Sequence, residues 1–193
     1  MVSEGAEVWL VRHARTDANA GGIWQGRSDG DVDAVGEEQI AALAARLRGQ
    51  RFDLVLSSPL QRARKTAAVF GDPIVEADLV EIDLGRWEGL TTSALVEGHG
   101  PDLEAFVRGD EMPLGGTGET PQQITTRIES IIARIFERLQ PEERAVVVTH
   151  GGVLDALTQR TAEVCQAGGA KQHHEYQKYD YELHWPESEW SCC

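Results

Sequence analysis

The run AVVVT at residues 145–149 narrows the fold more than any other stretch of this chain. A strand with one wet face alternates apolar and polar residues, whereas four consecutive apolar residues, three of them β-branched, need cover on both faces. Such a run belongs at the centre of a parallel sheet between two layers of helices. The flanking sequence supplies the helices. Ile124, Ile128, Ile131, Ile132, Ile135 and Leu139 form a long stripe before the run, and shorter stripes appear earlier, Ile40, Leu43, Ala44 and Leu47 after Gly36, and Ala63, Thr66, Ala67 and Phe70 after Pro59. Strand-like segments at residues 7–11 and 53–56, the second stopped by SSP, and a weaker one at 74–76 alternate with them. This order predicts an α/β fold, a three-layer sandwich with a mainly parallel central sheet and helices on both faces. Residues 77–120, with the turn-rich GHGPD and PLGGTGETP, read as a cap inserted over one end of the sheet. KYDYELHW at 178–185 alternates as a half-buried edge strand does.

The 193 residues suit one domain spanning 1–193. A net charge of -14 argues against nucleic acid or an anionic membrane as partner, because no field of that sign holds a phosphate backbone. No apolar stretch is long enough for a bilayer, and MVSEGAEV lacks the pattern of a secretory signal, so a cytoplasmic protein is expected. The three cysteines, Cys165, Cys192 and Cys193, have no metal-ligand spacing and no framework. Adjacent His173 and His174 lack partnering carboxylates or thiols, and no metal is expected there.

Ligands of open α/β sheets bind beyond the carboxyl ends of the strands. Arg12 and His13 follow the first strand, SSPLQR with Arg62 follows the second, and THGG with His150 follows AVVVT. The topology therefore gathers two arginines and two histidines in one place. Arg62 falls in the first turn of its helix, where the macrodipole disfavours a cation by a few tenths to ~1 kcal/mol unless an anion docks beside it. Small neighbours, Ala14 after His13 and Gly151 and Gly152 after His150, let a substrate approach the backbone. An imidazole of pKa near 6.5 offers a neutral nucleophile, and guanidiniums with a second histidine suit a phosphoryl group without a metal. The proton donor is left open among Glu81, Asp83 and Glu88. Trp24, Trp87 and Phe106 are either ring-stacking surfaces or core.

LVRHARTDAN, LSSPLQRARKTA, LVEIDLGRWEGL and VVVTHGGVLDAL, in this order, resemble the histidine phosphatase superfamily, its phosphoglycerate mutase-like branch. The resemblance covers residues 7–158. It implies that His13 is the nucleophile that becomes phosphorylated and that Arg12, Arg62 and His150 bind the phosphoryl group. It implies Glu81 as the acid, within a pattern formed by Leu79, Glu81, Gly85, Trp87, Glu88 and Gly89. Thr16 and Asn19 match positions near the phosphate, Gln25 and Gly26 lie in a loop that rims the site, and Gly151 is taken as substrate-binding. Thr120 is read as an N-cap with Pro121 at the first helical position. The implied activity is hydrolysis of a small-molecule phosphomonoester through a phosphohistidine, needing no cofactor and no metal. The alternatives are phosphoglycerate mutase-type transfer and a non-catalytic phosphate-binding or scaffold module. Ala14 stands where most members have glycine, which requires a negative φ there. The tail, residues 161–193, departs from the family pattern and leaves room for a homodimer.

Overall fold

The computed structural model of the protein describes residues 5–168, with side chains described through residue 160. The strands are β1 (Glu7–Arg12), β2 (Leu54–Ser57), β3 (Ile74–Val75) and β4 (Arg144–Thr149). The α-helices are α1 (Asp17–Ala20), α2 (Ala34–Arg46), α3 (Gln61–Ala67), α4 (Thr92–Arg108), α5 (Pro121–Arg138) and α6 (Gly151–Gly168). Among the described residues the strands form one four-stranded sheet in the order β1-β4-β2-β3, every pair parallel. The expected edge strand at 178–185, the paired histidines and Cys192 and Cys193 lie outside the described residues, as does the side chain of Cys165.

β4 lies between β1 and β2, as its unbroken apolar run demands. Ala145, Val146, Val147 and Val148 are wholly buried, and because successive side chains point to opposite faces they feed two separate cores. Ala145 and Val147 join Ile124, Ile128, Ile131 and Ile135 of α5 and Val153 and Leu157 of α6. Val146 and Val148 join Val55 with Ala63 and Ala67 of α3, edged by Trp9, Val11, Phe52 and Phe70. Helices therefore cover both faces, and the layers are three.

The long stripe becomes α5 for local reasons. Thr120 accepts from the Gln123 amide while the Gln123 side chain accepts from the Thr120 amide, and Pro121 opens the helix where a missing N–H costs nothing. The buried positions recur at spacings of three and four, leaving Ile132 half-buried on the flank. Helical geometry ends at Arg138, before Pro141. α2 is shallower. Ile40, Leu43 and Leu47 are half-buried and Ala44, beside that stripe, is exposed; the close contact is at Gly36, where a Cβ would sit 2.2 Å from the Arg15 carbonyl oxygen.

Residues 77–120 contain three short 3-10 turns and α4, which leaves helical geometry at His99 shortly before Pro101 and ends on Gly109 at φ 82. Leu84, Trp87, Leu95 and Leu114 belong to the same buried cluster as α5 and α6. Trp87 is fully buried and meets Trp24 and Phe106 edge-on, with centroids 6.3 and 6.2 Å apart. These aromatics are core. Ile128, 1% exposed at the centre of the larger cluster, gives a test: Ile128→Ala lowers the free energy of unfolding by about 2–5 kcal/mol in urea titration, and a loss below ~1 kcal/mol would contradict this packing.

Candidate active site

Parallel register brings three chain segments to one level. Arg12 pairs with Thr149 and Ser57 with Val148 at the carboxyl ends of their strands. The ladder then runs one step further, with the His13 amide donating to Thr149 O at 2.9 Å and the Ser58 amide to Val148 O at 3.0 Å. His13, Ser58 and His150 consequently emerge side by side, and the two imidazoles lie with centroids 5.0 Å apart. α3 starts at Gln61, with Leu60 as its N-cap and Pro59 just outside, so Arg62 occupies the first turn as the sequence implied.

The hydrogen bonds assign protons. His13 Nδ1 lies 2.7 Å from the Ala14 carbonyl oxygen, which can only accept, so Nδ1 carries the proton and Nε2 keeps its lone pair. Ala14 has no positive φ, which satisfies the condition for a methyl at this position, and its amide donates to Thr66 Oγ1 at 2.9 Å. His150 is wholly buried; its Nε2 is 2.7 Å from Ser58 Oγ and its Nδ1 has no partner. Arg62, 1% exposed, donates from Nη1 to Ser28 O and from Nη2 to Gly26 O, at 2.6 and 2.9 Å, while its buried Nε is unpaired. A buried guanidinium N–H without an acceptor fits an anion, and His150 Nδ1 adds a second donor when Ser58 Oγ–H donates to Nε2. Arg12 is the exposed guanidinium of the group.

Electrostatics follow from burial. Desolvation lowers the His13 pKa to about 3; the Ala14 carbonyl opposes this, and Arg62 and Arg12 reinforce it. His150 is lowered too, first by burial and then by His13, Arg62 and Arg12. Glu81 moves the other way, raised by desolvation against the Ile82 and Gly152 amides and the two guanidiniums. Burial also lowers Arg62, opposed by Glu81, Asp29 and Glu88. The pocket thus combines neutral imidazoles with a carboxyl that holds its proton unusually well.

Three acids left open by the sequence occupy three different environments. Glu81 Oε2 accepts from the Gly152 amide at 3.3 Å, at the start of α6 beside His150, and Oε1 from Ile82 at 2.9 Å. Asp83 caps its own turn, accepting from the Gly85 amide at 2.9 Å. Glu88 accepts from the Ser28 and Arg27 amides at 2.6 and 3.3 Å and so closes the loop whose carbonyls hold Arg62. Gly26 in that loop has φ 53, a conformation that favours glycine, and a Cβ there would lie 2.7 Å from Glu88 Oε2 and push that carboxylate away.

Of the remaining sequence candidates, Thr16 caps α1 with Asn19 in a reciprocal box, and its hydroxyl lies 3.0 Å from Gln25 Oε1, which joins these three into one network. A Cβ at Gly151 would meet Arg12 at an ordinary 3.6 Å, whereas at Gly152 it would lie 2.7 Å from Ile82 Cδ1 and 3.0 Å from Glu81 Oε1. A side chain at Gly152 would therefore have to displace the Ile82 side chain and the Glu81 carboxyl, whereas one at Gly151 would not. Sequence reasoning named Gly152 only as a small neighbour of His150, and passed over Ser58 and the loop-closing role of Glu88. Ser58 had a visible signal, since it follows its strand just as His13 and His150 follow theirs. Among the described residues no cluster of three or more His, Cys, Asp or Glu is placed to hold a metal.

The chain matches the family described as histidine phosphatase superfamily (branch 1) over residues 8–192. It belongs to that superfamily. Similar members include the metal-independent phosphoserine phosphatase of Arabidopsis thaliana, 35% identical over 86% of this chain and 73% of the relative. The adenosylcobalamin/alpha-ribazole phosphatase of Escherichia coli is also 35% identical, over 79% of this chain and 77% of its own. Among solved structures, a phosphoserine phosphatase mutant of Entamoeba histolytica in complex with phosphoserine superposes with a TM-score of 0.74 at 25% identity, covering 82% of this chain and 80% of that one. In this histidine phosphatase the His13 tautomer is open to direct observation. The unfolded chain takes up a proton near 6.5 and the folded site only at about 3, so acidification across that window favours unfolding by up to ~1.4 kcal/mol per pH unit. Nitrogen NMR of the phosphate-free protein is expected to show His13 neutral, protonated on Nδ1, from pH 7.5 down to about 5; titration at the ordinary value near 6.5 would contradict the geometry.

Proposed function

We propose that this protein is a metal-independent phosphomonoesterase acting on a small-molecule phosphate ester through a phosphohistidine on His13. The observation that carries the reading is the Nδ1–H bond to the Ala14 carbonyl at 2.7 Å, because it fixes the unprotonated nitrogen as Nε2 within a pocket of guanidiniums. Nε2 attacks phosphorus, the P–O ester bond breaks, and its electron pair leaves with the alkoxide oxygen. Glu81, whose burial raises its pKa and so favours the acid form, supplies the proton that makes this oxygen an alcohol. The resulting carboxylate then takes a proton from water, the water oxygen bonds to phosphorus, and the P–N pair returns to His13. Arg12, Arg62 and His150 hold the three phosphoryl oxygens as charge spreads over them. Thr16, Asn19, Gln25 and Gly26 shape the wall beside them, and the Ser58 hydroxyl fixes the His150 ring.

The net charge of -14 supports a small substrate over a nucleic acid or a membrane surface, since only the local guanidiniums attract an anion. Among the described residues no helix is long and apolar enough to cross a membrane, and the cytoplasm, where phosphorylated metabolites collect, is the compartment proposed. The names of the relatives support hydrolysis of phosphoserine-like and sugar phosphate-like esters as the substrate class.

Phosphate release from sugar phosphates, phosphoserine, phosphoglycerates, nucleotides and an aryl phosphate tests this in the presence of chelator. Turnover is expected to survive chelation and to fall at least about a thousandfold in His13→Ala; equal activity in the variant would remove His13 from the mechanism. Because burial raises the Glu81 pKa, its acid form persists to higher pH than that of an ordinary carboxyl and is lost as pH rises through the raised value. The alkaline fall of kcat/KM should therefore disappear in Glu81→Gln, and its persistence would assign the proton to another group.

A further inference from the structure

The segment that carries Glu81 has no strand or helix to hold it: residues 80–84 lie outside both. Its backbone is held by side chains instead. The carbonyl of Asp78 accepts from Arg127 Nη1 at 2.6 Å, that of Leu79 from Thr149 Oγ1 at 2.6 Å, that of Val80 again from Arg127 Nη1 at 2.9 Å, and that of Glu81 from Arg27 Nε at 3.3 Å. Four successive carbonyls thus depend on three residues distant in sequence. Arg127 is in turn fixed by a two-pronged ion pair to Glu119, Nε to Oε1 and Nη2 to Oε2, both 2.8 Å, with side chains 10% and 12% exposed. Glu119 closes on the same segment from the other end. Its Oε2 accepts from the Asp83 amide at 2.9 Å, and its own amide donates to Asp83 O at 3.0 Å. Burial opposes the Glu119 charge, but Arg127, the Asp83 amide and Arg27 outweigh it and keep the pKa lowered, so the pair is ionised throughout the neutral range.

We propose that the Glu119–Arg127 pair is a positioning clamp for the proton donor, spanning the Glu81 segment on both sides and fixing where its carboxyl meets the leaving oxygen. The proposal rests on the reading of Glu81 as that donor. Neither clamp residue is assigned to touch substrate; both act through the backbone at 78–83. Arginine is required because one planar fork serves two carbonyls and both carboxylate oxygens, and a lysine ammonium keeps the charge but cannot span all four. A clamp residue is also distinguishable from an ordinary stabilising ion pair. Misplacing a proton donor hurts only reactions whose leaving group needs the proton, while general loosening of the pocket hurts every substrate.

The test compares kcat/KM for an alkyl phosphate that the wild type turns over with kcat/KM for dinitrophenyl phosphate, whose phenolate leaves without a proton. This ratio reports steps through phosphorylation of His13 and is measured on folded protein, judged by circular dichroism. In Glu81→Gln the alkyl substrate is expected to lose about 10²–10⁴-fold and the aryl substrate little. Arg127→Lys and Glu119→Gln are expected to show the same split in smaller measure, about 10–100-fold against less than about threefold. If either clamp variant lowers both substrates by one factor, or changes neither, while Glu81→Gln keeps its split, the clamp is overturned and the donor stands. If Glu81→Gln shows no split, the donor assignment fails and the clamp proposal with it.

Discussion

Parallel pairing of β4 with β1 on one side and β2 on the other is the constraint on which everything else depends. It sets the carboxyl ends of three strands level, so that His13, Ser58 and His150, which lie far apart in sequence, begin their loops at one edge. The alternation of side chains within β4 divides the interior into two cores, and α3 and α6 on those cores start at the same edge. Arg62 in the first turn of α3 and Gly152 in the first turn of α6 are therefore delivered to the pocket by the sheet rather than by contacts with each other.

Chemistry in this pocket is a consequence of what the sheet edge buries. Removing water from two imidazoles beside two guanidiniums disfavours their protonation, and removing it from the Glu81 carboxyl disfavours its charge. The same physical effect thus favours the neutral form of both imidazoles and the protonated form of the Glu81 carboxyl. Arg62 Nε and His150 Nδ1 are buried there without a partner, which the proposed binding of a phosphomonoester would supply. The chain as a whole is strongly acidic, so attraction for an anion is confined to this pocket.

Legibility of the sequence tracked how locally each feature is determined. AVVVT could be placed because its lack of alternation states that both faces are covered, and α5 because Thr120, Pro121 and an isoleucine stripe act within a few turns. The arginines and histidines stood out because His13 and His150 directly follow strands, Arg12 ends one, and Arg62 opens the helix after another. Choosing Glu81 over Asp83 and Glu88 was beyond the residues themselves, since the three acids share one irregular loop and differ only in the amides they meet: Gly152, Gly85 and Ser28. The support of that loop was equally invisible. Arg127 reaches carbonyls 47 and 49 positions away, and side chain to backbone bonds of that span leave no periodicity to read. The half-burial of α2, with Ala44 exposed, shows the same limit from the other side, because a helical stripe fixes the helix but not how much of it is covered.

The covalent intermediate is the point at which the account is most exposed to refutation. Rapid-quench mass spectrometry of the wild-type enzyme during turnover, worked up under alkaline conditions that preserve phosphoramidates, should find one phosphoryl group on the peptide containing His13 and none on that containing His150. Phosphate released with no phosphorylated histidine at any time, or with the label on His150, would contradict the assignment of His13 Nε2 as the nucleophile.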